Sequence, residues 1–171
     1  MTFPAKMTVP ISIVKCVFIF ITKVSFMGKY NAIIDNAILW AKENQKRLDY
    51  QYLCLAFVED AYEISNSIEM FGGSTAKESA DIYAASIIGN PQKGDLVFYN
   101  ATGPIDGVIK NWGHVGLCIG NNTIIHTWDV IRIDNYLEVE NLPNAPGWTQ
   151  PECIGWTSPE VFLKNSIYKK Y

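Results

Sequence analysis

Gly113-His114-Val115-Gly116-Leu117-Cys118-Ile119-Gly120-Asn121-Asn122-Thr123-Ile124-Ile125-His126 holds both histidines of the chain. Apolar arms flank Gly120-Asn121-Asn122, a run of turn formers, so the stretch predicts a β-hairpin with one imidazole on each arm. Side chains alternate faces along a strand, so register decides whether the rings meet. A three-residue loop pairs Ile119 with Thr123 and Gly116 with His126, which sets His114 diagonal to His126 on one face. A two-residue loop puts the rings on opposite faces. Gly116 opposite His126 also leaves room for a ring beside the backbone.

Working outward, Asp95-Leu96-Val97-Phe98-Tyr99 predicts a strand upstream of the hairpin. Val130 to Asp134 alternates apolar and polar residues downstream, and Tyr136 to Val139 continues that pattern. Asn141 to Pro151 reads as a loop, Cys153 to Trp156 as a closing strand and Pro159 to Lys164 as a last helical turn. Before residue 90 the periodicity is helical. Ile33, Ala37, Trp40 and Ala41, widened by Ile34 and Ile38, give an amphipathic helix over about Asn31 to Asn44. Leu53, Phe57, Ala61 and Ile64 mark a second, and Thr75 with Glu78 has the capping-box spacing of a third. Helices first and strands after point to an α+β fold, with N-terminal helices packed on an antiparallel β-sheet.

Length and composition fit one folded domain. Apolar residues make up 49% of the 171 and charged residues 18%, which excludes a disordered chain. The net charge of −3, with no basic run beyond Lys169-Lys170, argues against nucleic acid as a partner. Cys16, Cys54, Cys118 and Cys153 form no Cys-x-x-Cys pair and no zinc-finger spacing, so no metal is expected and free thiols are favoured over a two-disulfide framework.

The catalytic or binding domain is expected over 28–171, preceded by an apolar extension over 1–27. Lys15 and Lys23 interrupt the apolar stretch, which therefore falls short of the roughly 18 uninterrupted residues of a membrane span. No Ala-x-Ala cleavage site follows it. An export signal or anchor, an extra element packed on the domain, and a natural start at Met27 remain open. The first of these makes residues 9–27 a membrane-association segment and favours a secreted or envelope location over the cytoplasm. A monomer is expected.

Cys54 opens the second helix, in Leu53-Cys54-Leu55-Ala56-Phe57. Thiolate is the reactive form of cysteine, and a helix N-terminus and a nearby imidazolium both lower a thiol's pKa. Cys54 as nucleophile, His114 as base and His126 as the group that orients His114 make a coherent set. The plainer reading makes Cys54 a small buried apolar residue and each histidine a satisfied core side chain. Backbone N–H groups at the helix start could bind an oxyanion. Tyr50 or Tyr52 could add a donor there, or could be loop packing.

Taken together, Cys54 on a helix, Lys93-Gly94-Asp95-Leu96-Val97-Phe98-Tyr99, Gly113-His114-Val115-Gly116 and Ile125-His126 resemble the NlpC/P60 family of papain-like cysteine peptidases. The likeness covers about Ala32 to Leu163. The CHAP amidases are a more distant likeness and usually carry Glu or Asn in the third role. The resemblance implies a papain-like fold and a Cys54-His114-His126 triad, with no cofactor. It implies cleavage of amide bonds in peptidoglycan peptides. At the nucleophile the family usually has Asp-Cys-Ser-Gly, where this chain has Leu53-Cys54-Leu55-Ala56. Trp128 is then a candidate for lining a substrate groove, and Arg132 for meeting a peptide carboxylate. The alternative for Arg132 is a surface pair with Asp129. Trp112 either shields the base from water or belongs to the core. Two rival functions stay open: a non-catalytic cell-wall-binding module on the same fold, and a thiol acyltransferase.

Overall fold

The strands from residue 96 onward assemble into a five-stranded sheet whose order is β7-β6-β5-β2-β8, with every neighbouring pair antiparallel. Its members are β2 (Leu96–Asn100), β5 (His114–Gly120), β6 (Thr123–Thr127), β7 (Ile131–Asn135) and β8 (Glu152–Thr157). The computed structural model describes residues 30–170. The apolar extension over 1–27 and Cys16 lie outside them. Residues 33–170 form one compact unit. Among the described residues no helix is long and apolar enough to cross a membrane.

Ahead of the sheet come α1 (Asn31–Glu43), α2 (Cys54–Asn66) and α3 (Ala76–Ile82), with a short β1 (Ile68–Glu69) between the last two. The architecture is the α+β one expected, helices packed on an antiparallel sheet. The buried face of α2 is rotated from the expected stripe. Phe57, Val58, Ala61 and Tyr62 are buried, while Leu53 and Ile64 are exposed. Tyr62 explains the rotation, because its hydroxyl reaches across to donate to the Gly94 carbonyl at 2.5 Å just before β2. At α3 the Thr75 hydroxyl accepts from the Glu78 N–H at 3.1 Å, as the capping spacing requires.

The pleat divides the sheet's side chains into two sets. Val97, Tyr99, Cys118 and Ile124 form one core with Tyr136, Val139 and Leu142, edged by Trp128, Cys153 and Trp156. The alternate residues Leu96, Phe98, Val115, Leu117 and Ile125 are also buried, on the side where α2 packs against β5 and β6. Tyr136 to Val139 does not extend a strand. The chain turns there into a 3-10 segment, Glu138–Asn141, whose Val139 closes the first core.

The hairpin has the register the histidines need, reached by a different turn. Gly116 pairs with His126 and Cys118 with Ile124, but Gly120 pairs with Thr123. The turn is therefore the two residues Asn121-Asn122, both at positive φ (52° and 59°), with a bulge between Cys118 and Gly120 absorbing the extra residue. A second hairpin was not expected from the sequence: β3 (Thr102–Ile105) and β4 (Val108–Asn111), turning at Asp106-Gly107. The chain ends with α4 (Pro159–Phe162) and β9 (Ile167–Tyr168), which pairs with β1.

Candidate active site

His114 is the first residue of β5, and the chain is fixed just ahead of it. The Asn111 side-chain carbonyl accepts from the N–H groups of Ala101 and Gly113, each at 3.0 Å. The Lys77 N–H at the start of α3 donates to the Trp112 carbonyl at 3.0 Å. Gly113 sits at φ +72°, and a Cβ there would lie 2.5 Å from the Lys77 nitrogen, so glycine is required by both torsion and space.

From that anchor the His114 ring is only 3% exposed, and its Nε2 lies 2.8 Å from His126 Nδ1. His126 is fully buried, and its Nε2 lies 3.0 Å from Asp134 Oδ2. Arg132 grips both oxygens of Asp134, with Nη2 donating to Oδ1 at 3.0 Å and Nε to Oδ2. Burial drives the His114 pKa well below the ordinary imidazole value, and the neighbouring His126 adds to this. Burial lowers His126 as well, partly offset by Asp134. Asp134 is held well below the usual carboxylate range, first by its hydrogen bond from His126 and then by Arg132. Trp128 stands edge-on to the His114 ring at 5.0 Å, and Tyr99 lies 5.7 Å from it.

Cys54 is the first residue of α2, on the side of the sheet where Val115 is buried. Its N-cap, Leu53, has no side chain able to cap, so the first-turn N–H groups are left unclaimed by any cap. The Val115 N–H, one residue beyond His114, favours the thiolate, as does that of Leu55. Cys54 is half-buried as a residue, and desolvation of its sulfur outweighs both and pushes the thiol up to about 11, the reverse of the lowering expected from the helix dipole. Among the described residues the sulfur makes no hydrogen bond to either imidazole. A backbone bond joins the two halves of the site, since the Tyr52 N–H donates to the Trp128 carbonyl at 3.1 Å. Cys54, Cys118 and Cys153 are free thiols.

The Tyr50 hydroxyl donates to Asp60 at 2.6 Å, and its ring packs edge-on against Phe57 and Trp40, so it belongs to helix packing rather than to an oxyanion site. Tyr52 is 65% exposed at φ +61°, beside Cys54 in sequence. Trp112 donates from Nε1 to the Gly103 carbonyl at 2.9 Å and lies under the Lys110 ammonium. Arg132 is not left open for a substrate carboxylate. Its guanidinium is bound to Asp134, with Asp129 at 3.8 Å. Asp134 is the site residue that the sequence reading passed over. The signal was available: extending the hairpin register one strand further pairs His126 with Arg132 and Ile124 with Asp134, which puts the carboxylate on the histidine face. A cavity of about 410 Å³ lined by Tyr83, Ile88, Asp95, Trp156 and Val161 shares no residue with this site.

The structure thus holds a hydrogen-bonded pair of imidazoles backed by a carboxylate, and a cysteine that opens a helix packed against the same hairpin. The model of the NlpC/P60 family matches residues 39–150, a span that holds Cys54, both histidines and Asp134. The chain belongs to the NlpC/P60 family. No curated protein matches it. NlpC/P60 proteins are, as a class, cysteine peptidases and amidases of the cell wall, and the helices and antiparallel sheet described above are consistent with their papain-like fold.

Proposed function

We propose that this protein is a cysteine-type hydrolase that cleaves amide bonds in peptidoglycan peptides, with Cys54 as nucleophile, His114 as base and His126 as the residue that orients it. One observation carries the reading: His114 and His126 share a 2.8 Å bond on adjacent strands, and the residue after His114 presents its N–H to the Cys54 sulfur. In the free enzyme thiol and imidazole are both neutral at pH 7. His114 therefore removes the thiol proton as the sulfur attacks the carbonyl carbon. The N–H groups of the first turn of α2 stabilise the oxyanion. His114 returns the proton to the leaving amine, and the thioester is then hydrolysed by water with His114 again as base. No cofactor enters. The acting unit is assigned to residues 28–171, with residues 9–27 as the segment that brings it to the envelope or exports it.

Purified peptidoglycan fragments incubated with the protein and analysed by mass will split into two products whose summed mass is that of the parent plus one water. Cys54→Ala abolishes that change while leaving the circular dichroism spectrum intact. A variant that cleaves at the parent rate overturns the assignment.

One observation favours a second reading, a binding module without turnover. Burial holds the thiol up at about 11, within Leu-Cys-Leu-Ala rather than the family's usual Asp-Cys-Ser-Gly. Fragment binding with no product, unchanged in Cys54→Ala, is its signature.

A further inference from the structure

We propose that Asp134 fixes the proton positions of the whole relay, holding both imidazoles in the one tautomer that leaves His114 Nδ1 as a bare lone pair. It acts as a positioning residue, through His126, and its consequence for turnover rests on the hydrolase reading above.

An ionised carboxylate only accepts, so the 3.0 Å contact between Asp134 Oδ2 and His126 Nε2 requires the proton on that nitrogen. A neutral imidazole carries one N–H, so His126 Nδ1 is then an acceptor. The 2.8 Å contact with His114 Nε2 must be donated by His114. The single N–H of neutral His114 is thereby spent on Nε2, and Nδ1 is the nitrogen able to take a proton from a thiol. The opposite order would set a bare nitrogen against a carboxylate and put the N–H of His114 on Nδ1, where it could serve no base.

The placement of Asp134 is as strict as that of the histidines. In the β6–β7 register Asp134 faces Ile124, two positions along from His126, and Arg132 faces His126 itself. Arg132 binds both carboxylate oxygens, so the carboxylate is both aimed and kept ionised. The titratable and charged groups around the relay are Asp134, Arg132 and Asp129 from β7 and the turn before it, and Tyr99 from β2.

The chain has only two histidines, so ¹⁵N-histidine labelling of the full-length protein reads the relay directly. At pH 7.5 the long-range ¹H–¹⁵N spectrum will show both rings protonated at Nε2 and bare at Nδ1. A wild-type spectrum with His114 protonated at Nδ1 overturns the proposal without need of any variant. Asp134→Leu removes the acceptor of the His126 Nε2 proton. The N–H of His114 then shifts toward Nδ1, and kcat falls about 100-fold with KM within about twofold. Asp134→Glu, which restores an acceptor, recovers the wild-type tautomer and part of kcat. A Leu variant that keeps both tautomers and full kcat also overturns it. The spectrum needs no substrate, so it decides the tautomer even if Cys54→Ala shows that the hydrolase reading fails.

Discussion

Gly116 lies directly opposite His126 in the β5–β6 ladder, and the absence of a side chain there is what lets the His126 strand lie as close as it does. A Cβ at 116 would come 2.5 Å from Ile124 Cδ1 and 3.1 Å from His126 Cβ. Ile124 is fully buried and has no solvent side to withdraw to. Gly116→Ala therefore costs about 1–3 kcal/mol of stability, the range for overfilling a packed core. It also lowers turnover by displacing His126 from His114. Urea denaturation together with a fragment-cleavage assay checks both effects, and wild-type values in each would mean the ladder has slack that the packing does not show.

Trp128 stands against the ring proposed as the base. Its ring lies edge-on to His114 at 5.0 Å, and burial is the main cause of that imidazole's lowered pKa. Trp128→Ala admits water, so the His114 pKa rises toward the ordinary 6.5 and the acid limb of kcat/KM moves to higher pH. A pH–rate profile measures the limb. A limb that stays in place while activity merely drops would make Trp128 a packing residue only.

Because burial holds Cys54 near 11, its alkylation by iodoacetamide will speed up continuously as pH rises past 8.5, with no plateau near neutrality. Peptide mapping by mass separates Cys54 from Cys118 and Cys153. A plateau between pH 6 and 8 would instead reveal a preformed thiolate paired with imidazolium, and proton transfer would then precede substrate binding.

Away from the site, Glu59 on α2 is raised to about 7, chiefly by burial and then by Glu63 and Asp60. In the unfolded chain it titrates near the ordinary 4.5. Between these values the folded protein holds a proton that the unfolded chain has released, so the group's unfavourable contribution grows as pH climbs from 4.5 and is complete above 7. Glu59→Gln removes it. The urea midpoint of this variant will exceed that of the parent at pH 8 and converge with it at pH 5; an advantage larger at pH 5 contradicts the sign.

The parts of the structure that could be read in the chain were those written in short-range patterns. The helix over Asn31–Glu43, the Thr75 cap, the strand Leu96–Asn100 and the pairing of Gly116 with His126 all follow from periodicity, capping chemistry or turn residues. What was lost depended on tertiary choices. The rotation of α2 turns on one hydroxyl reaching Gly94, which no hydrophobic stripe encodes. The β3–β4 hairpin carries Pro104 and exposes Ile105, Val108 and Ile109, so it lacks the half-buried alternation that marks a strand. The thiol's shift was expected downward because dipole and imidazole were weighed without burial. Asp134 was passed over because the strand beyond the hairpin was read for its own alternation and never aligned with the histidines.

The bulge between Cys118 and Gly120 has a consequence out of proportion to its size. With a plain two-residue turn and no extra residue, His126 would sit opposite Leu117 and swing through the sheet to the helix side, leaving His114 alone on the other. Parity along the ladder, odd or even, thus separates a chain with a coupled imidazole pair from one with two stranded rings. An insertion or deletion of one residue at that exposed corner would silence chemistry several residues away without touching any group that performs it.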